Sequence, residues 1–399
     1  MDDFAGRLDA AMAARNIGVR ALARRVHCDP GLISRLRSGR QQPSPNIARL
    51  LDEELGAAGA LATADRSTPA HPDSVADDEI AAIEVVRRAA ASDVGEATVG
   101  ELERTTDAMA LAYPRTRPDQ LLTRVRTHLA YASGLLSGRT TLSEHRRLLV
   151  TSGWLSLLAS TCLIDLRRFP PASAYLRTAT ELARETGHRE IAAWCLETKA
   201  WQVLTEGDYP HAAAYAQAAQ RTAPQDGSAY IQATGQEARA WARLGAAREA
   251  REALARTEAL VAPLPTPDRP EHHYQYDPAK SDAYTATTLA WLGDPAAAGY
   301  ARGVLGRLES GTDGPVRPRR AASARLDLAL ALTASDELDE AAHTALTAVT
   351  SGLLVPSNYW RAKEVVEVIG DRGVSTVGDL REAFDEFCVP VRPALPPGR

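Results

Sequence analysis

Eight arginines and one acid, Asp29, stand between residues 15 and 49, a local charge of +7 on a chain whose net charge is −5, which leaves −12 for the rest. A guanidinium is always charged and offers a planar fork of donors that matches phosphate oxygens and base edges. A local basic cluster on an acidic chain is therefore an electrostatic footprint for a polyanion. Searches for covalent chemistry fail. The chain has no Gly-Lys dipeptide, hence no phosphate-cradling P-loop, no Gly-x-Ser-x-Gly elbow and no dinucleotide-binding glycine fingerprint. No His-Glu-x-x-His spacing occurs, and Cys28, Cys162, Cys195 and Cys388 never form a Cys-x-x-Cys pair. We expect no catalytic residues, no metal and no cofactor, hence not an enzyme. The cysteines read as buried thiols of a reducing, cytoplasmic compartment.

The arginines need elements to position them. The run VRALARRVHCDPGLISRLRSG reads as two short helices. In the first, over 21–26, Leu22, Ala23 and Val26 point inward. Asp29 then caps a second helix, because its carboxylate can accept a free backbone N–H, and Pro30 at the next position sacrifices no bond. Leu32, Ile33 and Leu36 form the buried side, Gly39 ends the helix, and Ser34, Arg35 and Arg37 are left for solvent or a groove.

These residues resemble the Xre, or Cro/CI-type, class of DNA-binding helix-turn-helix domain over roughly residues 3–60. The matching positions are Ala23 in the first helix, the cap Asp29, Ile33-Ser34-Arg35, and the exit Gly39-Arg40-Gln41-Gln42-Pro43-Ser44. The resemblance implies binding of a double-stranded DNA operator through Arg20, Asp29, Pro30, Gly31, Ser34, Arg35, Arg37 and Arg40. Two departures shift the weight of that set. Gly18-Val19 stands where the family places Ser-Gln, whose glutamine braces the phosphate backbone, so Arg20 takes part of that role. Pro30 and Gly31 stand where longer side chains often read bases, which moves readout toward Ser34, Arg35 and Arg37.

Ala, Leu, Arg and Glu dominate the rest of the chain, lysine occurs only three times, and no stretch alternates as a strand would. Residues 62–78 are rich in Pro, Ser, Thr and Asp and read as a linker; residues 389–399 read as a proline-rich tail. Between them a turn-then-alanine unit recurs, with packing alanines at Ala172, Ala212, Ala250, Ala298 and Ala341, spaced by 40, 38, 48 and 43 residues. A helix precedes each turn, and small residues at the crossings let paired helices approach closely. Residues 206–224, EGDYPHAAAYAQAAQRTAP, resemble the second half of a tetratricopeptide repeat. The order of a helix-turn-helix and then such helices resembles a group of bacterial regulators, actinobacterial members included. We therefore expect an all-α protein: a five-helix-type helix-turn-helix domain over 1–61, a linker over 62–78, a tetratricopeptide-like α-solenoid over 79–388 and a tail over 389–399.

Three features of the repeat region suggest contacts. Trp194, Trp201 and Trp241 fall on first helices of successive hairpins, where rings can line a concave groove or simply fill a core. The proline-bounded run RPEHHYQYDPAK places Tyr274 and Tyr276 beside two histidines, as a ligand-contact element or as an ordinary loop. SNYWRAKEVVEV brings Asn358, Tyr359, Arg361 and Lys363 to a helix start, where it can hold an anionic group or serve as a solvated cap. The expected ligand set is Trp194, Trp201, Trp241, Tyr274 and Tyr276, for a peptide or small-molecule effector. The expected assembly is a homodimer. The richest apolar run, 154–166, contains Ser, Thr and Asp, and we expect no membrane partner. A protein-interaction scaffold that recruits a partner to DNA is the alternative reading.

Overall fold

The computed structural model describes residues 4–61, 84–86, 90–265, 272–309, 317–372 and 377–388. Every regular element among them is helical. They divide between Val86 and Arg87 into two compact units. The expected linker and the expected tail both fall wholly outside the described residues.

The first unit holds α1 (Phe4–Ala14), α2 (Val19–Arg25), α3 (Pro30–Arg37) and α4 (Pro45–Leu55). Phe4, Leu8 and Met12 recur every four residues and bury one face of α1. They meet Leu22 and Ala23 of α2, Ile33 and Leu36 of α3, and Leu51 and Leu55 of α4 in one core. Burying each large aliphatic side chain there contributes roughly 1.5–3 kcal/mol, an upper figure because the unfolded chain is itself partly compact. Four helices fill residues 4–61 where five were expected. After α4 the chain takes left-handed conformations at Gly56 and Ala58. Asp52 then accepts the backbone N–H groups of Gly59 and Leu61, both at 2.8 Å, and Leu61 is fully buried. A side-chain-held turn thus takes the donors that a further helix would use.

The second unit continues with α5 (Glu96–Ala112), α6 (Pro118–Leu136), α7 (Leu142–Asp165), α8 (Phe169–Thr186), α9 (Arg189–Thr205), α10 (Tyr209–Thr222), α11 (Ser228–Arg243) and α12 (Ala247–Val261). Then come α13 (Ala279–Trp291), α14 (Ala296–Glu309), α15 (Pro318–Ala334), α16 (Leu338–Thr350), a 3-10 turn (Pro356–Asn358), α17 (Tyr359–Asp371) and α18 (Val377–Phe387). From α7 onward they form helical hairpins. The first helices α7, α9, α11, α13, α15 and α17 also pack on one another in sequence.

The hairpin turns share one construction. A residue in the left-handed region stands at Arg167, Gly207, Gly245, Gly293 and Asp336, in each case five positions before a packing alanine. Those alanines are buried, four of the five completely. At Gly207, with φ +87°, the following Asp208 side chain accepts the His211 N–H at 3.3 Å and starts α10. The left-handed residue reverses the chain, the cap restarts it, and the alanine admits the preceding helix. α7 is the one described helix long and apolar enough to cross a membrane, longer than the apolar run at 154–166 suggests; 83% of its most apolar window is buried among other helices.

The row of hairpins returns on itself. Ser357 in the 3-10 turn donates to Asp165 at the end of α7 at 2.8 Å. Arg319 at the start of α15 donates to Asp165 at 3.0 Å and to the carbonyls of Tyr113 and Thr116 at 2.7 and 2.6 Å. The first helices consequently enclose an interior, and they bury polar side chains, among them Glu197 and Gln202 of α9, Gln236 of α11, Thr288 of α13 and Asp327 of α15; Ser160 of α7 instead donates to the Ala172 carbonyl of α8 at 2.9 Å.

Candidate functional site: a basic helix pair and an arginine-lined cavity

In the first unit, α2 ends through a left-handed His27, and the Cys28 N–H donates to the Ala23 carbonyl at 2.9 Å. Asp29 caps α3 by accepting the Leu32 N–H at 3.1 Å. A Cβ on Gly31 would meet that carboxylate oxygen at 2.6 Å, so Pro30 and Gly31 serve the cap. At the other end Gly39, with φ +69°, lets the Arg40 N–H reach the Arg35 carbonyl at 2.9 Å. With Ile33 and Leu36 fully buried, Arg20, Ser34, Arg35, Arg37 and Arg40 are left exposed; Leu32 is half-buried. Arg35 Nε donates to Gln41 Oε1 at 2.9 Å, and Arg37 Nε pairs with Asp9 of α1 at 2.5 Å. Both partners of the second pair are about half exposed, so the pair is worth about 0–1 kcal/mol.

In the second unit the run singled out before α13 fills the interior. Its residues up to Glu271 lie outside the described part. His272 Nε2 lies 2.9 Å from Asp107 Oδ1 of α5, and the His273 N–H donates to Ala110 at 3.3 Å. The Tyr276 N–H donates to Ser228 Oγ of α11 at 2.9 Å. Lys280 Nζ donates back to the carbonyls of His272 and Gln275 at 2.9 and 3.1 Å. The His273 ring packs on Tyr113 with centroids 4.2 Å apart, and Tyr274 packs on Trp154 at 4.8 Å and Trp194 at 5.3 Å. Burial, with Lys280 and His272 close by, drives the His273 pKa well below the usual imidazole value and keeps the ring neutral.

This loop has a cavity on either side. One, of about 460 Å³, is lined by Asp107, Trp154, Glu190, His272 and Tyr274 among others, and is acidic. The other, of about 260 Å³, takes residues from each of the stacked first helices: Asp165, Trp201, Gln232, Arg239, Lys280, Tyr284, Arg319, Arg320, Ser323 and Arg361, with Tyr113, His273, Leu353, Val355, Ser357 and Asn358. A lobe of about 150 Å³ adjoins it and shares Arg239, Tyr284, Arg320, Ser323 and Arg361, adding Thr287 and Asp327. Asp165 accepts from Tyr113, Arg319 and Ser357. Burial opposes the charge on Arg319, but Asp165 beside it outweighs this and raises its pKa. Asp327 accepts from Thr287 at 2.9 Å and from Arg361. Burial pushes the Tyr284 hydroxyl up to about 12 and the Glu197 carboxyl, which accepts from Gln232 at 3.2 Å, up to about 7.

The five residues expected to line one groove are dispersed. Trp194 is a core side chain at 1% exposure, its indole N–H on Glu190 at 3.1 Å. Trp241 is half-buried in a separate cluster and donates to Glu237 at 3.1 Å. Tyr276 is buried, Tyr274 lines the acidic cavity, and Trp201 lines the basic one. In the C-terminal run, Arg361 and Asn358 reach the basic cavity, whereas Lys363 is exposed and pairs with Glu367. Arg361 is therefore a buried, paired guanidinium and not a solvated cap. Sequence reading missed Arg239, Arg319 and Arg320, and gave no role of its own to Lys280, the last residue of the run RPEHHYQYDPAK. Their one signal is cationic residues at inward positions of first helices, which shows only once the inner face is known.

Among the described residues no group of His, Cys, Asp and Glu is placed to hold a metal, and Cys162, Cys195 and Cys388 are buried free thiols, with Cys28 half-buried. In comparisons with known proteins, no family model matches the chain and no curated protein matches it. The described residues thus form an all-helical protein with a basic helix pair in one unit and a cationic inner cavity in the other.

Proposed function

We propose that this chain is a cytoplasmic, homodimeric, DNA-binding transcriptional regulator and not an enzyme. Its first unit is an Xre-type helix-turn-helix head, and its second is a tetratricopeptide-like sensor for an effector. The observation that carries the reading is the exposed arginine face of α2 and α3 over a fully buried Leu22, Ile33 and Leu36 core. On this reading α3 enters the major groove, Ser34, Arg35 and Arg37 face base edges, and Arg20 and Arg40 steady the backbone. The effector is a small molecule held in the inner cavity. A ligand there touches every stacked first helix, so it favours one curvature of the hairpins over another and one arrangement of paired heads. Only differential affinity for the two arrangements shifts operator binding.

The test is selection of bound duplexes from a random library, followed by titration of the selected sequence. Arg35→Ala with Arg37→Ala, in a protein that keeps its helical signal, is expected to weaken binding by about 2–4 kcal/mol and to relax preference at the contacted bases. No selected sequence, or an undiminished affinity in the double variant, would refute the reading.

A further inference from the structure

The fold holds the exposed side chain of Arg35 in a set place on α3. Gly39, with φ +69°, ends the helix, and the Arg40 N–H turns back to the Arg35 carbonyl at 2.9 Å. The same carbonyl accepts the Ser38 hydroxyl at 3.1 Å. This turn brings Gln41 beside the Arg35 side chain, where Gln41 Oε1 accepts the Arg35 Nε–H at 2.9 Å. The guanidinium then lies back along α3. Its Nη1 is 3.1 Å from the point that a Cβ on Gly31, one turn earlier, would occupy. Gly31 thus leaves room for the guanidinium as well as for the Asp29 cap, whose carboxylate accepts the Leu32 N–H at 3.1 Å. Two features set Arg35 apart from its neighbours. Arg25 and Arg37 pair with the carboxylates of Glu54 and Asp9, whereas the clasp on Arg35 is a neutral amide that adds no negative charge. The clasp also takes Nε, and among the described residues no other group bonds the two terminal nitrogens. Arg35 and Gln41 are both exposed.

We propose that Gln41 is a positioning residue for Arg35: by holding Nε it sets the guanidinium so that the two terminal nitrogens meet one guanine of the operator in the major groove. The inference rests on the DNA-binding reading above. It adds which base Arg35 reads and which residue makes that contact selective. A free arginine side chain gives up rotamer freedom on binding, and one already held gives up less, so the fork favours the base edge that fits it. The guanidinium lies toward the start of α3, the end of a recognition helix that meets base edges. Two parallel donors match guanine, whose O6 and N7 both accept; adenine presents one acceptor and one donor at the same edge and turns one arginine donor away. A phosphate also takes paired donors, but losing a phosphate contact weakens all sequences alike, which the experiment separates.

The test uses the full-length protein and duplexes selected from a random library. Arg35→Ala identifies the base pair read by Arg35 as the one at which preference is lost. That pair is expected to be G·C, preferred over A·T at least about fivefold, and deazaguanine, which lacks the N7 acceptor, should forfeit the preference. Gln41→Ala is expected to cut the preference at that pair by about two- to tenfold, with the other positions and the thermal unfolding temperature unchanged. Gln41→Glu keeps an acceptor for Nε and adds a negative charge. It should retain the preference for guanine while binding every sequence less tightly, a split that a merely structural role of Gln41 would not give. Preferences unaltered, or lowered alike at every position, in Arg35→Ala would overturn the proposal. So would a pair other than G·C, an undiminished preference in Gln41→Ala, or a loss in Gln41→Glu as large as in Gln41→Ala. Each of these outcomes leaves the DNA-binding reading standing, whereas failure to select any sequence would refute both.

Discussion

Glu197 of α9 is 5% exposed, and burial raises its carboxyl from 4.5 to about 7, against the smaller opposing effect of the Gln232 hydrogen bond. The folded protein thus holds this proton more tightly than the unfolded chain does. The stability linked to it is fully present below pH 4.5 and is lost as pH rises through about 7. Over that window the loss amounts to about 3 kcal/mol at most. Glu197→Gln keeps the acceptor for Gln232 but has no proton to lose. Urea unfolding at pH 5 and pH 8 should show the variant gaining on the parent at the higher pH; a pH-independent difference would sink this account.

Among the elements, the hairpin turns are the most sharply specified. Gly207 has φ +87° and no atom within 4 Å of where a Cβ would stand, so conformation and not space demands glycine there. Gly207→Ala is expected to cost about 1–2 kcal/mol in thermal or denaturant unfolding, and Gly207→Asn less, because asparagine tolerates the left-handed region. An alanine variant as stable as the parent would show that the turn relaxes freely. Arg167 and Asp336 hold the same place without glycine, which is why glycine alone would not have revealed the period and the alanines did. The helices themselves were legible: Ala172, Ala212, Ala250, Ala298 and Ala341 all begin second helices and are buried. Residues 4–61 hold four helices and not the expected five, because Asp52 takes the backbone donors of the turn that follows α4.

For the whole molecule, charge is unevenly divided: residues 15–49 carry +7, while the chain as a whole is −5. On the proposed reading, attraction to DNA is therefore concentrated in the head. One small head offers few base contacts, and paired heads read half-sites about 34–36 Å apart or a multiple of that. Sedimentation at micromolar concentration is expected to give a dimer held by the helical-repeat unit, and selected operators should carry two half-sites. A monomer that binds one isolated half-site specifically would count against this.

The sequence alone specified the elements. Helix caps, apolar spacing and alanine crossings act over a few residues, so Asp29, Ile33, Leu36 and the hairpin alanines could be placed from the chain itself. It also marked Arg361 and the run around Tyr274 as unusual. Only the tertiary structure decided what those residues face. Trp194 and Trp201 lie on the same helix, yet one is sealed in the core and the other lines the cavity. Arg239, Arg319 and Arg361, far apart in sequence, converge because the stacked hairpins return to α7. Local forces fix which residues share a helix face; which face turns inward depends on how successive hairpins rotate as they stack, a sum over many contacts that no single stretch of sequence contains.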